Sequence, residues 1–234
     1  MPIRAILFDK DGTLIDMQAT HGPATCDVLR RLSGGEEELV VRMAGLTRVD
    51  LAAKRLLPGC PVISEATDVY GALWARVLGR PLTVDFLREV DALFLQATLE
   101  HLHPVGDPGV VFRTLSARAY RLGVLTNDAE ANARQHLRRL QVDDLVAFVS
   151  GYDSGFGQKP DASPVLAFAA RVNVAPAEVA VVGDSPHDLL SARAAGAVAI
   201  GVLSGPNDAA ALKPHADILL PSIAKLPDWL GGIA

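Results

Sequence analysis

Six short apolar runs, set apart by longer amphipathic stretches, constrain this chain more than any other feature. Residues 3–8, 122–126, 146–149, 179–182, 198–202 and 218–220 are too short for ordinary helices, rich in β-branched residues and bounded by turn formers, so they read as buried strands. Helical patterns lie between most of them, clearest over 129–140, 163–172, 188–195 and 222–230. Strands that alternate with helices are joined by right-handed crossovers onto a parallel sheet. The expected fold class is therefore α/β, with a doubly wound parallel sheet.

One interval breaks the alternation. Residues 17–101 offer helical patterns over 19–32, 36–44, 48–57, 64–78 and 83–101, with no convincing strand. The expectation is an all-helical insertion between the first strand and the second. It is closed by a linker, His103-Pro104-Val105-Gly106-Asp107-Pro108-Gly109, whose composition suits a hinge. The division expected is a core of residues 1–16 and 104–234 and an inserted domain of residues 17–103. A chain of 234 residues, half of them apolar, has enough material for both.

Charge and cysteine content narrow the function classes. A net charge of −5 without a long basic run gives no electrostatic reason to expect a nucleic acid or a membrane surface as partner. Two cysteines, Cys26 and Cys60, with no CxxC pair, suggest neither a disulfide framework nor a thiolate zinc site. The apolar run before Asp9 is too short for a signal-peptide core, and no later segment has the length of a membrane span. The expectation is a cytoplasmic protein acting on a small molecule, as a monomer or a homodimer.

Open parallel sheets bind ligands at the carboxyl ends of their strands, and four such ends here carry chemistry. The first gives Asp9, Lys10, Asp11, Gly12 and Thr13. In extended backbone Asp9 and Asp11 would project to one side and Lys10 to the other. Two carboxylates facing one cavity repel unless a cation or proton is shared, and hard oxygen ligands select magnesium. An ordinary Asp-Gly turn after a strand is the plain alternative. The second strand ends in Thr126-Asn127-Asp128, where a hydroxyl and an amide could donate to a phosphate oxygen, or simply cap a helix.

The third strand leads into a glycine-rich loop that delivers Lys159 before Pro160. It is not a Walker A loop, because Pro160 stands where Ser or Thr is required, but a compact ammonium suits a transferring phosphoryl group. The fourth gives Gly183-Asp184-Ser185-Pro186-His187-Asp188. Pro186 favours a helix starting there, Asp184 can reach a metal at the first strand, and Asp188 can orient Lys159 or a metal-bound water. Helix-capping aspartates are the plain alternative.

Together these motifs resemble the haloacid dehalogenase superfamily, in particular its phosphoglycolate-phosphatase-like branch. The Asp-x-Asp-Gly-Thr motif is matched by Asp9, Asp11, Gly12 and Thr13, the second motif by Thr126, the third by Lys159-Pro160, and the fourth by Gly183 to Asp188. His215-Ala216-Asp217 also resembles this branch. The resemblance implies a Rossmann-like core, with the insertion as a mobile cap, and a small phosphorylated metabolite as substrate. It implies that Asp9 is a nucleophile forming an aspartyl-phosphate and that Asp11 is the acid and base. Thr126 and Lys159 would hold the phosphoryl oxygens, with Asn127 a further donor. Magnesium would be held by Asp9, the Asp11 backbone carbonyl and Asp184, supported by Asp188. Backbone amides of the turn from Lys10 to Gly12 would complete the phosphate cradle. Lys10 departs from the apolar residue usual there; its side chain would pair with an acid at the mouth or approach the substrate.

Other readings share the fold. Dehalogenases use the nucleophile without magnesium, which Asp11 with Asp184 and Asp188 argues against. A sugar-phosphate mutase shares the core motifs, and Gly45-Leu46-Thr47-Arg48 resembles a specificity loop in which Arg48 would grip a distal phosphate. The ordinary reading of Arg48 is a solvated arginine at a helix start. A phosphate-binding module without turnover is opposed by the intact set of Asp9, Asp11, Lys159 and Asp184. His101 and His103 lack a third zinc ligand in register.

Overall fold

A computed structural model describes residues 2–65 and 67–232. The chain divides into two compact units, Met1–Asp16 with Pro104–Ala234, and Met17–His103. Its strands in chain order are β1 (Ala5–Phe8), β2 (Val49–Asp50), β3 (Arg55–Leu56), β4 (Arg121–Leu125), β5 (Phe148–Ser150), β6 (Val179–Gly183), β7 (Val198–Val202) and β8 (Ile218–Leu220).

The first unit holds a six-stranded sheet in the order β5-β4-β1-β6-β7-β8. Every pairing in it is parallel. The chain winds outward from β1 through β4 to β5, then returns to the other side of β1 and winds out to β8. The reversal falls at β1, where such sheets open a crevice at the strand ends. All four residues of β1 are wholly buried, because helices cover both faces. Leu7 and Ala5 join Phe168 and Leu189 on one face. On the other, Phe8 stacks on Phe112 with ring centroids 4.7 Å apart. Gly123 of β4 has no room for a side chain, since a Cβ there would strike Phe168 and Leu7.

Phe112 belongs to a helix, Pro108–Ala117, whose first residues fall in the expected linker. Asp107 is its N-cap, with Oδ1 accepting from the Val110 N–H at 2.9 Å, and Pro108 occupies the first turn. Pro108 and Gly109 of that linker are here a helix start, while Pro104 and Gly106 lie before it.

The second unit packs helices Met17–Leu32, Glu37–Leu46, Thr67–Leu78 and Val84–Glu100 around Trp74, which lies 5.0 Å from the Tyr70 ring and 5.9 Å from Phe94. The Trp74 indole donates to Thr47 Oγ1 at 3.3 Å. The unit is not all-helical. Where a helix is expected over 48–57, β2 and β3 form an antiparallel ribbon, pairing Val49 with Leu56 and Asp50 with Arg55. Local polar bonds displace the helix. Asp50 Oδ1 accepts from Ala52 N and Ala53 N, Lys54 turns with φ 50°, and the Gln18 amide pairs with both backbone groups of Leu56. Gly22 lets its helix lie against the ribbon, because a Cβ there would fall on the Lys54 carbonyl. Among the described residues, no helix is long and apolar enough to cross a membrane.

Replacing Phe112 with Ala should destabilise the protein by about 3–5 kcal/mol, the usual range for a fully buried Phe truncated in a core that does not collapse. Urea denaturation followed by circular dichroism measures it. A loss below about 1 kcal/mol would show that the helix does not support β1.

Candidate active site

The site gathers at the carboxyl end of β1. The Asp9 N–H still bonds to the Val182 carbonyl at 2.8 Å, so Asp9 is held in register with β6 although β1 has ended. Its carboxylate is buried against Lys159, whose ammonium lies 2.5 Å from Asp9 Oδ1 and 2.6 Å from Asp188 Oδ1. Asp188 is also fixed from its other oxygen. Ser185 donates to Oδ2 from its backbone N–H at 3.0 Å and its hydroxyl at 2.6 Å, which is the capping box of helix Pro186–Ala195. One aspartate thus starts a helix and anchors the lysine.

Asp184, at the end of β6, completes the cluster. One oxygen from each of Asp9, Asp184 and Asp188 lies within 4.8 Å of the others. Thr13 donates its hydroxyl to Asp184 Oδ1 at 3.3 Å. Two glycines make room: Gly12, in left-handed backbone with φ 88°, and Gly205, after β7, each pass so close that a Cβ would fall on the Asp184 carboxylate. The β7 end contributes more than the sequence reading found. Asn207 Nδ2 donates to the Asp184 carbonyl at 3.1 Å, and the Ser204 hydroxyl donates to the Gly12 carbonyl at 2.8 Å. Ser204-Gly205-Pro206-Asn207 comes after an expected strand, so the strand-end rule, carried to a fifth end, would have found them.

Thr126, buried at the end of β4, accepts from the Asp128 N–H through Oγ1 at 3.1 Å. Asn127, expected to donate to phosphate, spends its amide otherwise. Oδ1 accepts from the Lys159 N–H at 3.0 Å and Nδ2 donates to the Lys159 carbonyl at 3.1 Å.

Lys10 and Asp11 do not alternate as expected. Lys10 is wholly buried, with its ammonium 2.6 Å from Asp11 Oδ2, 3.1 Å from Asp128 Oδ2 and 3.3 Å from His136 Nδ1. The period-2 rule fails because β1 stops at Phe8, the chain bends at Lys10 and a turn begins at Gly12. Of the two expected alternatives, pairing with an acid is the one found. A substrate contact by the Lys10 side chain is not, because its cation is enclosed by Asp11, Asp128 and His136.

In the second unit Arg48 is exposed, adopts φ 57° and donates from Nε to the Pro58 carbonyl at 2.7 Å; it is not a helix-start residue. His101 Nε2 pairs with Asp27 at 2.7 Å, and His103 Nδ1 lies 3.1 Å from the His101 carbonyl.

Asp9 and Asp188 share the Lys159 ammonium, and Asp184 adds a third buried carboxylate beside them. Burial pushes the Asp9 carboxyl up to about 6; the Asp188 and Asp11 charges add to the rise and Lys159 opposes it. Burial, then Asp9 and Asp188, hold Asp184 well above the ordinary carboxylate range. Burial works against charge on Lys159, but Asp188 and Asp9 outweigh it and push its pKa up, so it stays cationic. A compact, oxygen-only donor set with surplus negative charge fits a hard divalent cation such as Mg2+.

The chain is 29% identical to the phosphoglycolate phosphatase of Rhodospirillum rubrum over 240 residues, covering 97% of this chain and 91% of that protein. It is 28% identical to the phosphoglycolate phosphatase of Escherichia coli K12 over 244 residues, covering 98% and 93%. In fold it resembles a candidate β-phosphoglucomutase from Thermotoga maritima, with TM-score 0.72, 22% identity and full coverage of both chains. It also resembles a HAD family hydrolase from Deinococcus radiodurans R1 with bound phosphate and sodium, with TM-score 0.70, 21% identity and coverage of 99% and 96%. The family described as haloacid dehalogenase-like hydrolase matches residues 3–196, a span carrying Asp9, Thr126, Lys159 and Asp184, and the chain belongs to that family.

Proposed function

We propose that the protein hydrolyses a small phosphate monoester, of the phosphoglycolate or sugar-phosphate class, through an aspartyl-phosphate on Asp9. The observation that carries this reading is the buried group of Asp9, Lys159, Asp184 and Asp188 at the end of β1. A carboxylate held dry beside a fixed ammonium is suited to attack phosphorus, because the cation offsets the charge of the arriving phosphoryl oxygens. Mg2+ would be held by Asp9, Asp184 and the Asp11 carbonyl, with Asp188 in the same group. When bound it supplies the charge neutralisation that lets an anionic ester approach a carboxylate.

In the first step the Asp9 oxygen forms a bond to phosphorus while the ester oxygen leaves, taking a proton from the Asp11 carboxyl. In the second, Asp11 removes a proton from water, whose oxygen displaces Asp9 and releases inorganic phosphate. Lys159 and Thr126 hold the phosphoryl oxygens, and the turn amides of Lys10, Asp11 and Gly12 add N–H donors. The Met17–His103 unit would act as the cap that selects the ester's organic part.

A screen of small phosphate monoesters, with and without Mg2+, tests this. Asp9→Asn should abolish phosphate release, and Asp11→Asn should lower kcat by about 10²–10⁴-fold. Release that survives both Asp9→Asn and Mg2+ removal would sink the mechanism. Equilibration of sugar-phosphate isomers without net release would replace the hydrolase with a mutase.

The raised carboxyl of Asp9 gives a second expected outcome. Its folded pKa, about 6, exceeds the ordinary 3.8, so between these values the folded state keeps a proton that the unfolded state has lost. Stability from this group therefore falls as pH rises through that window. Mg2+ binding needs the ionised form and must displace that proton at low pH. The rise in Tm caused by Mg2+, measured by differential scanning fluorimetry, should be larger at pH 7.5 than at pH 5. Asp9→Asn should flatten the difference. An equal rise at both pH values would show that Asp9 is not in the cation site.

A further inference from the structure

Lys159 is delivered by an irregular segment. Between β5 and helix Ser163–Val172 the chain runs from Gly151 to Ala162 without a strand or helix, and Gly155 and Gly157 turn through left-handed backbone with φ 82° and 86°. An Asp161 N–H to Gln158 carbonyl bond of 2.9 Å closes a turn across Lys159, but it uses neither backbone group of Lys159 itself. Yet Lys159 must hold its ammonium within hydrogen-bond distance of two buried carboxylates at once. Something outside the loop has to set its backbone.

Asn127 reaches across 32 residues of sequence and takes both backbone polar groups of Lys159, as one strand would pair with another. Its carboxamide has one acceptor and one donor group, and each is directed at Lys159. A second tie lies downstream, where the Ser191 hydroxyl donates to the Asp161 carbonyl. Asn127 itself is seated beside Thr126, whose N–H bonds to the Ser150 carbonyl at 2.9 Å in continuation of the β4 and β5 pairing.

We propose that Asn127 is a positioning residue for Lys159, and not a phosphate ligand. It locks the lysine's backbone to the end of β4, so that Thr126 and Lys159 are presented to the phosphoryl group as one rigid unit. This rests on the phosphatase reading above. A lysine displaced by about 1 Å loses on the order of 10²-fold in rate, even though nothing that touches the substrate has been removed.

A double-mutant cycle on p-nitrophenyl phosphate with Mg2+ separates the two roles. Asn127→Ala should lower kcat/KM by about 10²-fold in the wild-type background and by less than about twofold in a Lys159→Ala background, where no ammonium remains to be placed. Asn127→Ser, which keeps a hydroxyl for one of the two bonds, is the milder variant and should show the same dependence on Lys159. The same cycle read as inorganic phosphate affinity by calorimetry needs no turnover. Equal losses in both backgrounds, with Asp9→Asn inactive, would overturn the positioning role and leave the phosphatase reading intact. A wild-type protein that neither turns over the ester nor binds phosphate would overturn both.

Discussion

The ammonium of Lys159, shared between Asp9 and Asp188, is the contact on which the rest of the site depends. These three residues come from the end of β1, the first turn of helix Pro186–Ala195 and the loop after β5, far apart in sequence, and each is almost wholly buried. Removing an ammonium and carboxylates from water costs several kcal/mol per ion unless every lone pair and proton is met. The surrounding structure supplies those partners: Ser185 for the second oxygen of Asp188, and Thr13 for Asp184. Gly12, Gly183 and Gly205 serve the same end by omission, since a side chain at any of them would occupy carboxylate space.

The arithmetic of charge supports the proposed use of the site. One ammonium against three carboxylates leaves Asp9 and Asp184 short of positive partners, which adds to the rise that burial already imposes on their carboxyls. A site built only for stability would pair its charges or leave them out. A surplus of buried, oxygen-only negative charge beside a fixed lysine suits a divalent cation and, through it, a phosphate ester. Phosphate-ester chemistry is also what the relatives' names describe, and the contacts point to it independently.

The parts of this molecule that burial dictates were readable in the sequence, and the parts set by local polar bonds were not. The six strands of the core sheet are short apolar runs between helical patterns, and strand ends in such sheets converge, so Asp9, Lys159, Asp184 and Asp188 could be brought together before any coordinates. Residues 48–57 have an apolar pattern compatible with a helix; what makes them a ribbon is the Asp50 side chain and the Gln18 amide, the second of them 38 residues from its partner Leu56. Pro108 signals a linker or a first helical turn equally well until Asp107 is seen capping it. Asn127 carries the donors a phosphate would want, and only its contact with Lys159 reveals a different use.

Lys10 completes the electrostatic logic by standing apart from it. Its buried ammonium serves Asp11 and Asp128, while Lys159 serves Asp9 and Asp188, so each lysine is committed to its own pair of acids. Burial weakens Lys10's charge but Asp11 and Asp128 more than compensate, and its pKa is pushed up. Two carboxylates only one residue apart therefore sit in different surroundings. Asp9 is dry and faces the cation-seeking cluster; Asp11 keeps about a fifth of its side chain in solvent and is tied to a lysine of its own. Division of labour between neighbouring acids arises from such unequal environments. In the proposed mechanism Asp9, as nucleophile, would gain from desolvation, whereas Asp11, as acid and then base, would exchange protons with a leaving group and then with water. The break in strand geometry after Phe8, which defeats the simple alternation of side chains, is what gives the two aspartates those separate settings.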